Sequence, residues 1–293
     1  MQTLLKVEWL KIRHYSAFKI LGIFFIVGII LSNYIVYKTM STFTQNQTAS
    51  MIVGGYSPYS FEYTWQTTSY VTGFLLILPA MLVIMLVTNE FTYKTSRQDI
   101  IDGWSRQQFI DVKLAMALIF AVVTSITVIL TALLFGFITG SDFSVNKIDH
   151  LLYFFLKALS YNVIAVLISV LVRRTGFAIG LFFIYLGAEN IISNLLDFWS
   201  IKIKSDTGYD LGSMGDYLPM NASDGLLAFP DNPLKSMANS VRTTDYYWVV
   251  LALAVAYLIL LHGGAVRELY NPTCNYCCCF NAASAASRDG YTK

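Results

Sequence analysis

A long charged segment lies between two runs of apolar residues and constrains the fold more than any other feature of the chain. It covers residues 88–113, whereas most helix-to-helix connections need only a few polar residues. No catalytic pattern is found in it. We interpret the segment as a short helix presented at the membrane face to a soluble partner.

The composition predicts an integral membrane protein. Of the 293 residues, 56% are hydrophobic and only 13% are charged, about half the charged fraction of soluble domains. The net charge of +2 is too small to indicate a nucleic-acid partner. The first apolar run follows a basic segment and is not followed by a small-residue cleavage site, so no cleavable signal peptide is predicted.

The apolar runs predict six transmembrane helices, because a helical crossing needs about 20 mostly apolar residues. The predicted spans are residues 17–37, 69–88, 114–139, 151–172, 175–198 and 246–261. Only Arg173 and Arg174 separate the fourth span from the fifth, which predicts a tight helical hairpin. We therefore expect an all-α membrane domain over residues 1–266 and an atypical cytoplasmic tail over residues 267–293.

Basic residues indicate the orientation, because lysine and arginine accumulate in cytoplasmic segments. With the N-terminus inside, thirteen basic residues face the cytoplasm: Lys6, Lys11, Arg13, Lys19, Lys94, Arg97, Arg106, Lys113, Arg173, Arg174, Arg267, Arg288 and Lys293. Six lie outside: Lys38, Lys147, Lys202, Lys204, Lys235 and Arg242. The bias predicts an inner-membrane protein with both termini in the cytoplasm.

The first nineteen residues predict a helix lying in the inner membrane interface. Leu4, Leu5, Trp9, Leu10 and Ile12 form a broad apolar face if the segment is helical, whereas the basic residues fall largely elsewhere. The alternative is an ordinary extension of the first span. The two long outer loops, residues 38–68 and 199–245, predict local structure or a role of their own.

Three motifs resemble permease subunits of the second ABC-exporter family. They are N-E-F-T-Y-K-T at residues 89–95, continuing to D-G-W-S-R at 102–106, then R-R-T-G-F-A-I-G at 173–180 with Tyr185 and Glu189, and Y-L-P-M-N at 217–221. The resemblance covers roughly residues 4–257. It implies a six-span permease with an interfacial N-terminal helix and a cytoplasmic coupling helix between spans two and three. It also implies a separate ATP-binding subunit and a second permease, the same chain or a related one.

The proposed coupling helix begins near Arg97, where Ser96 can cap it, and ends at Gly103. Its apolar side would fit a cleft on an ATP-binding subunit. The alternative is a solvated loop. The candidate docking residues are Glu90, Arg97, Asp99, Ile100, Ile101, Asp102, Gly103, Trp104 and Arg106.

Polar residues inside spans are candidates for a transport pathway, because they are costly in lipid. They are Lys157, Asn162, Glu189, Asn190 and Asn194. A Lys157–Glu189 pair across the hairpin is one possibility. The alternative is a structural role, in which these groups satisfy one another or cap a fifth helix broken near Gly187.

The chain itself is predicted to be non-catalytic and to hold no cofactor or metal. It has no G-x-x-x-x-G-K-[ST] phosphate loop, so ATP and Mg²⁺ are expected in the partner subunit. All four cysteines, Cys274, Cys277, Cys278 and Cys279, lie in the tail, where zinc binding and acylation are the open readings and no chemistry is the favoured one.

Two functions of different classes fit these features. The first is the permease half of an ATP-driven exporter that moves an amphipathic cargo such as a lipid, a peptide or a small molecule. The second is a membrane anchor or mechanical transducer, through which an ATPase drives an extracellular partner without moving cargo. An ion-coupled secondary transporter is disfavoured, because the sequence shows no internal repeat.

Overall fold

All elements of the computed structural model are helical within the part of the chain that it describes, residues 2–13, 15–45, 59–93, 95, 101, 106–140, 142–230 and 246–270. Nine α-helices are described: α1 (Gln2–Arg13), α2 (Ser16–Gln45), α3 (Phe61–Gly73), α4 (Ile77–Thr92), α5 (Arg106–Ile138), α6 (Asp149–Val172), α7 (Thr175–Thr207), α8 (Asn221–Gly225) and α9 (Tyr247–Tyr270). A 3₁₀ turn, Phe74–Leu76, joins α3 to α4, and a second one, Met214–Tyr217, precedes α8.

Five segments in the described part are long and apolar enough to cross a membrane. They are Ser16–Thr42, Phe61–Thr92, Gln107–Ile138, Asp149–Val172 and Thr175–Thr207. The sixth predicted span lies in α9, of which the apolar stretch Tyr247–Leu261 is shorter than these five segments. The structure therefore confirms a helical, multi-pass membrane protein and five of the six predicted spans.

Several helices extend beyond the predicted spans. The helical segment that contains the second span begins at Phe61 rather than at residue 69, so its first turns use residues assigned to the outer loop. The aromatic residues Tyr59, Phe61 and Trp65 are buried there. The helix that contains the fifth span runs on to Thr207 and is unbroken at Gly187, so the break considered as an alternative is absent.

Helix α6 forms the centre of the bundle. It packs against α3, α4, α5, α7, α8 and α9. Its buried residues Phe154, Ala158, Ile164 and Val166 belong to the main hydrophobic core. Movement of any of these six helices therefore reaches α6 through direct packing contacts.

The α6–α7 hairpin has the two-residue turn that the sequence predicted. Helix α6 ends at Val172 and α7 begins at Thr175. Arg173 closes α6 in the left-handed conformation, at a φ of 57°, and its backbone N–H donates to the carbonyl of Ser169. That conformation satisfies one of the free carbonyls at the helix end.

Helix α1 is seated on the bundle by a charged residue as well as an apolar one. Glu8 and Ile12, one turn apart, are 3% and 2% exposed. Trp9 and Leu10, which were expected to share the apolar face with Ile12, are about half exposed on other sides of the helix. The predicted apolar face is thus divided between a side that packs on protein and a side that is open.

Candidate functional site

Four charged side chains form a buried cluster where α1, α4 and α5 meet. Lys113 Nζ lies 2.5 Å from Glu8 Oε2 and 2.6 Å from Glu90 Oε1. Lys11 Nζ lies 3.0 Å from Glu8 Oε1 and 3.5 Å from Glu90 Oε1. Two carboxylates and two ammonium groups give the cluster a formal charge of zero, which is what allows it to be buried.

Lys113 is the centre of this cluster. It is 3% exposed and donates to both carboxylates, while Lys11 at the rim keeps a side-chain exposure of 33%. Its ammonium group also lies 5.1 Å from the ring centroid of Phe109. Loss of Lys113 would leave two buried carboxylates with only one cation, Lys11, whose side chain is a third exposed.

The lysines determine the protonation state of Glu8. Burial raises the pKa of the Glu8 carboxyl, but the charges and hydrogen bonds of Lys113 and Lys11 outweigh burial and leave the pKa below its ordinary value of 4.5. Glu8 is therefore ionised at neutral pH, and the pair with Lys113 is an ion pair.

The cluster closes the base of the long charged segment. Glu90 lies in the last turn of α4, and Lys113 lies in the second turn of α5. The chain between them contains the proposed coupling helix. The Glu90–Lys113 pair therefore joins the helices on either side of that segment to each other and, through Glu8, to α1.

Most of the candidate docking residues lie outside the described residues: Arg97, Asp99, Ile100, Asp102, Gly103 and Trp104. Ile101 is described and is 78% exposed, and Arg106 is the first residue of α5. Glu90 is only 7% exposed and faces the cluster, so its side chain is turned away from a docking surface. The docking role of the segment stays a prediction.

A second polar network holds the segment that follows α7. Glu189 Oε1 accepts the backbone N–H groups of Met220 and Asn221, at 2.5 and 3.0 Å. The 3₁₀ turn before them is fixed to α7 by Asp197, which accepts the backbone N–H of Gly215 at 2.8 Å. The chain thus turns back from α7 and packs, up to Pro230, against that helix and α9.

Helix α8 is held from its other end by α6. Lys157 Nζ lies 3.2 Å from Asp224 Oδ1, and the Tyr161 hydroxyl donates to Asp224 Oδ2 at 3.1 Å. The pairing of Lys157 with Glu189, suggested as one possibility, is therefore wrong: each has a partner in the returning segment instead. The sequence did not indicate the pairing of Lys157 with Asp224, because Asp224 lies far along the chain in a stretch that was predicted to be an outer loop.

The remaining intramembrane candidates divide into two groups. Asn162 is 1% exposed and donates from Nδ2 to the carbonyl of Ala117 at 3.1 Å, which joins α6 to α5. Asn190 and Asn194 are exposed on α7, and Asn194 donates to the Asn190 carbonyl at 2.7 Å. Asn162 is thus a bond between helices, whereas the α7 pair presents amides on the outer surface of the protomer.

Sequence reasoning missed Glu8, Lys11, Lys113 and Asp224 as partners in these networks. One signal for Glu8 was present: it is the lone acidic residue among the first 61. An isolated carboxylate in a basic amphipathic helix indicates a fixed cation elsewhere. No comparable signal marks Asp224.

The helices and their buried ion pairs define a polytopic helical membrane protein. The family model for an ABC-2 family transporter protein matches residues 4–188, more than half of the chain. The chain belongs to this family, and it is an ABC transporter permease subunit, a class that is generally non-catalytic and that implies an ATP-binding partner. No curated protein and no solved structure matches the chain.

Proposed function

We propose that this chain is the transmembrane permease subunit of an ATP-driven exporter in the inner membrane. It docks a separate ATP-binding subunit, which binds ATP and Mg²⁺, and it pairs with a second permease, the same chain or a related one. The cargo is amphipathic: a lipid, a peptide or a small molecule. The family assignment supports the permease role, and the remaining parts rest on the arguments below.

The ion pair between Glu90 and Lys113 is the observation that carries the docking proposal. It joins the two ends of the segment at its base and connects both to α1 through Glu8. A segment that only linked two spans would not need a buried, charge-neutral clamp. A segment that transmits force from a closing ATP-binding subunit would, because a loose base would absorb the displacement.

The exposed amide side chains of α7 favour an arrangement in which lipid does not cover that face of the helix. Asn190 and Asn194 lie within the candidate span Thr175–Thr207, where contact with hydrocarbon is costly for an amide side chain. A second permease or a polar part of the cargo provides the hydrogen bonds that lipid tails lack. We therefore place the cargo path and the second permease on this side of α7.

Six spans with both termini in the cytoplasm complete the proposal, and they place the segment after α4 on the side of the ATP-binding subunit. Single cysteines at Ser144 and Ser213 should react with an impermeant reagent in sealed cells, and one at Ser96 should not. Reaction at Ser96 under the same conditions would reverse the orientation.

Replacement of the apolar side of the segment tests docking. Aspartate at Ile100, Ile101 and Trp104 should abolish co-purification of the ATP-binding subunit, while the permease stays in the membrane. A matched control places aspartate at Val145 and Ile148, exposed apolar residues beyond the far end of α5, and should leave co-purification unchanged. Retention of the ATP-binding subunit at wild-type stoichiometry by the triple variant would refute docking through this segment.

Cargo transport has a separate test. In reconstituted vesicles, ATP turnover by the assembled complex should rise when an amphipathic cargo is added. A complex that hydrolyses ATP at the same rate with every candidate cargo, but responds to an extracellular partner protein, is a mechanical transducer instead.

A further inference from the structure

An apolar groove lies between the N-terminal helix α1 and helix α5, beside the Glu8–Lys113 pair. It has a volume of about 440 Å³ between α1 and α5, and its lining residues are Leu5, Lys6, Trp9, Leu10, Met116 and Ile119. All of these except Lys6 are apolar. The groove is within the size range of small-ligand sites, about 300–1,000 Å³.

The Glu8–Lys113 pair fixes the two walls of the groove relative to each other. Glu8, on the buried side of α1, pairs with Lys113 of α5, and Ile12 packs beside it. Helix α1 therefore cannot roll toward α5 to bury Trp9 without breaking an ion pair. Trp9, which lines the groove, also contacts Phe18, and Phe18 contacts Phe120, with 6.4 and 6.1 Å between the ring centroids.

The groove follows α5 from the neighbourhood of the Lys113 charge into the apolar part of that helix. Met116 and Ile119 follow Lys113 by three and six residues, so they lie roughly 5 and 9 Å further along the helix. Lys6 lies on the opposite wall and is exposed. Under the proposed orientation, an ammonium group stands at the inner membrane surface and the apolar walls extend into the hydrocarbon.

This combination selects one kind of occupant. The walls accept an acyl chain, and they offer no polar group for a peptide backbone. Lysine at the rim favours a phosphate over a zwitterionic or neutral headgroup, and basic residues near the inner leaflet attract anionic lipids.

We propose that the groove binds one acyl chain of an anionic glycerophospholipid of the inner leaflet, with the lipid phosphate paired to Lys6. The bound chain fills the space that remains between α1 and α5 beside the Glu8–Lys113 pair. The lipid thereby adds a second contact between the two helices. This inference rests on the proposed orientation, but it does not depend on the ATP-binding subunit.

Lipid retention by the purified chain tests the site. Protein exchanged into detergent with phosphatidylglycerol or with phosphatidylcholine of the same acyl chains is analysed by native mass spectrometry. The wild type should retain phosphatidylglycerol about fivefold more than phosphatidylcholine, the factor expected from one lysine near an anionic group. Lys6→Gln should remove this preference, and Ile119→Trp should reduce the retention of both lipids by filling the groove.

Two matched variants control for charge and for bulk. Lys19→Gln removes an exposed basic residue of α2 that is not part of the groove. Leu130→Trp adds the same bulk as Ile119→Trp at an exposed position further along α5. Both should retain lipid as the wild type does.

Equal retention of the two lipids by the wild type would overturn the proposal. So would wild-type retention by Ile119→Trp, because the site would then lie elsewhere. If Ile119→Trp does not fold, as gel filtration would reveal, the loss of preference in Lys6→Gln alone decides, and an unchanged preference there also refutes the site. Neither measurement involves the ATP-binding subunit, so a failure here leaves the docking proposal untouched.

Discussion

Lys113 Nζ lies 2.6 Å from Glu90 Oε1, although the two residues are 23 positions apart in the chain. The pair is buried, and Glu8 of α1 completes it from the opposite side of the ammonium group. Three helices that meet at the base of the proposed coupling segment are thus tied by one side chain. The account predicts that this lysine matters more for stability than any other basic residue of the cluster.

Lys113→Met should destabilise the protein by about 3–5 kcal/mol, because it leaves two carboxylates buried with insufficient compensation. Lys11→Met is the matched control, since Lys11 contacts the same carboxylates but is a third exposed. We expect it to cost about 1 kcal/mol or less. Thermal unfolding in detergent measures both, and equal losses for the two variants would contradict a central role for Lys113.

Acidification should weaken the attachment of α1 to the helix bundle through Glu8. The pKa of Glu8 is lower in the folded protein than its ordinary value of 4.5. The stability that Glu8 provides is therefore fully present above about pH 4.5 and is lost as the pH falls through the lowered value. Glu8→Gln should be less stable than the wild type at neutral pH and should lose less stability on acidification. Parallel pH profiles of the two proteins would show that Glu8 does not contribute this dependence.

Gly215→Ala should separate the 3₁₀ turn Met214–Tyr217 from α7. A Cβ at Gly215 would meet Ser193 Oγ, and would lie 2.7 Å from the Ser193 carbonyl and 2.8 Å from Asp197 Oδ1. Because the Ser193 carbonyl cannot move without shifting α7, we expect a cost of about 1–3 kcal/mol. Gly180 lies in α7, and a Cβ added there would have open space around it. Gly180→Ala should therefore be neutral or slightly stabilising. The difference in melting temperature between the two variants measures the close approach.

Substitutions at Glu189 separate a structural role from a functional one. Glu189→Leu leaves the N–H groups of Met220 and Asn221 without their acceptor, which should cost about 1–3 kcal/mol for a buried donor. Glu189→Gln keeps an accepting oxygen and should fold. If the glutamine variant uncouples ATP turnover from cargo movement, the charge serves transport, and wild-type coupling would show that Glu189 only holds the returning segment.

Much of the helical framework could be predicted from local sequence. Five spans follow from the length and hydropathy of each run, and Arg173–Arg174 marks a turn because two adjacent guanidinium groups cannot remain in hydrocarbon. The ends of the helices could be predicted less well. Helix α7 continues to Thr207 through charged residues, since a helix that has left the bilayer is limited by backbone propensity rather than by lipid.

The partners within each network could not be predicted in the same way. Lys157 and Glu189 were recognised as costly groups, but Asp224 and the backbone of Met220 reach them only because the chain folds back after α7. Similarly, Glu8 and Lys113 are 105 positions apart. Such contacts depend on how helices pack, and one sequence carries no direct record of that packing.

Site-specific cross-linking at Ile101 is the most direct test of the central claim. A photo-reactive amino acid at this exposed position should form a covalent adduct with the ATP-binding subunit in intact membranes. The same group at Phe143, exposed beyond the opposite end of α5, should form none. An adduct at Phe143 and none at Ile101 would contradict the account, because the ATP-binding subunit would then lie on the other side of the membrane domain.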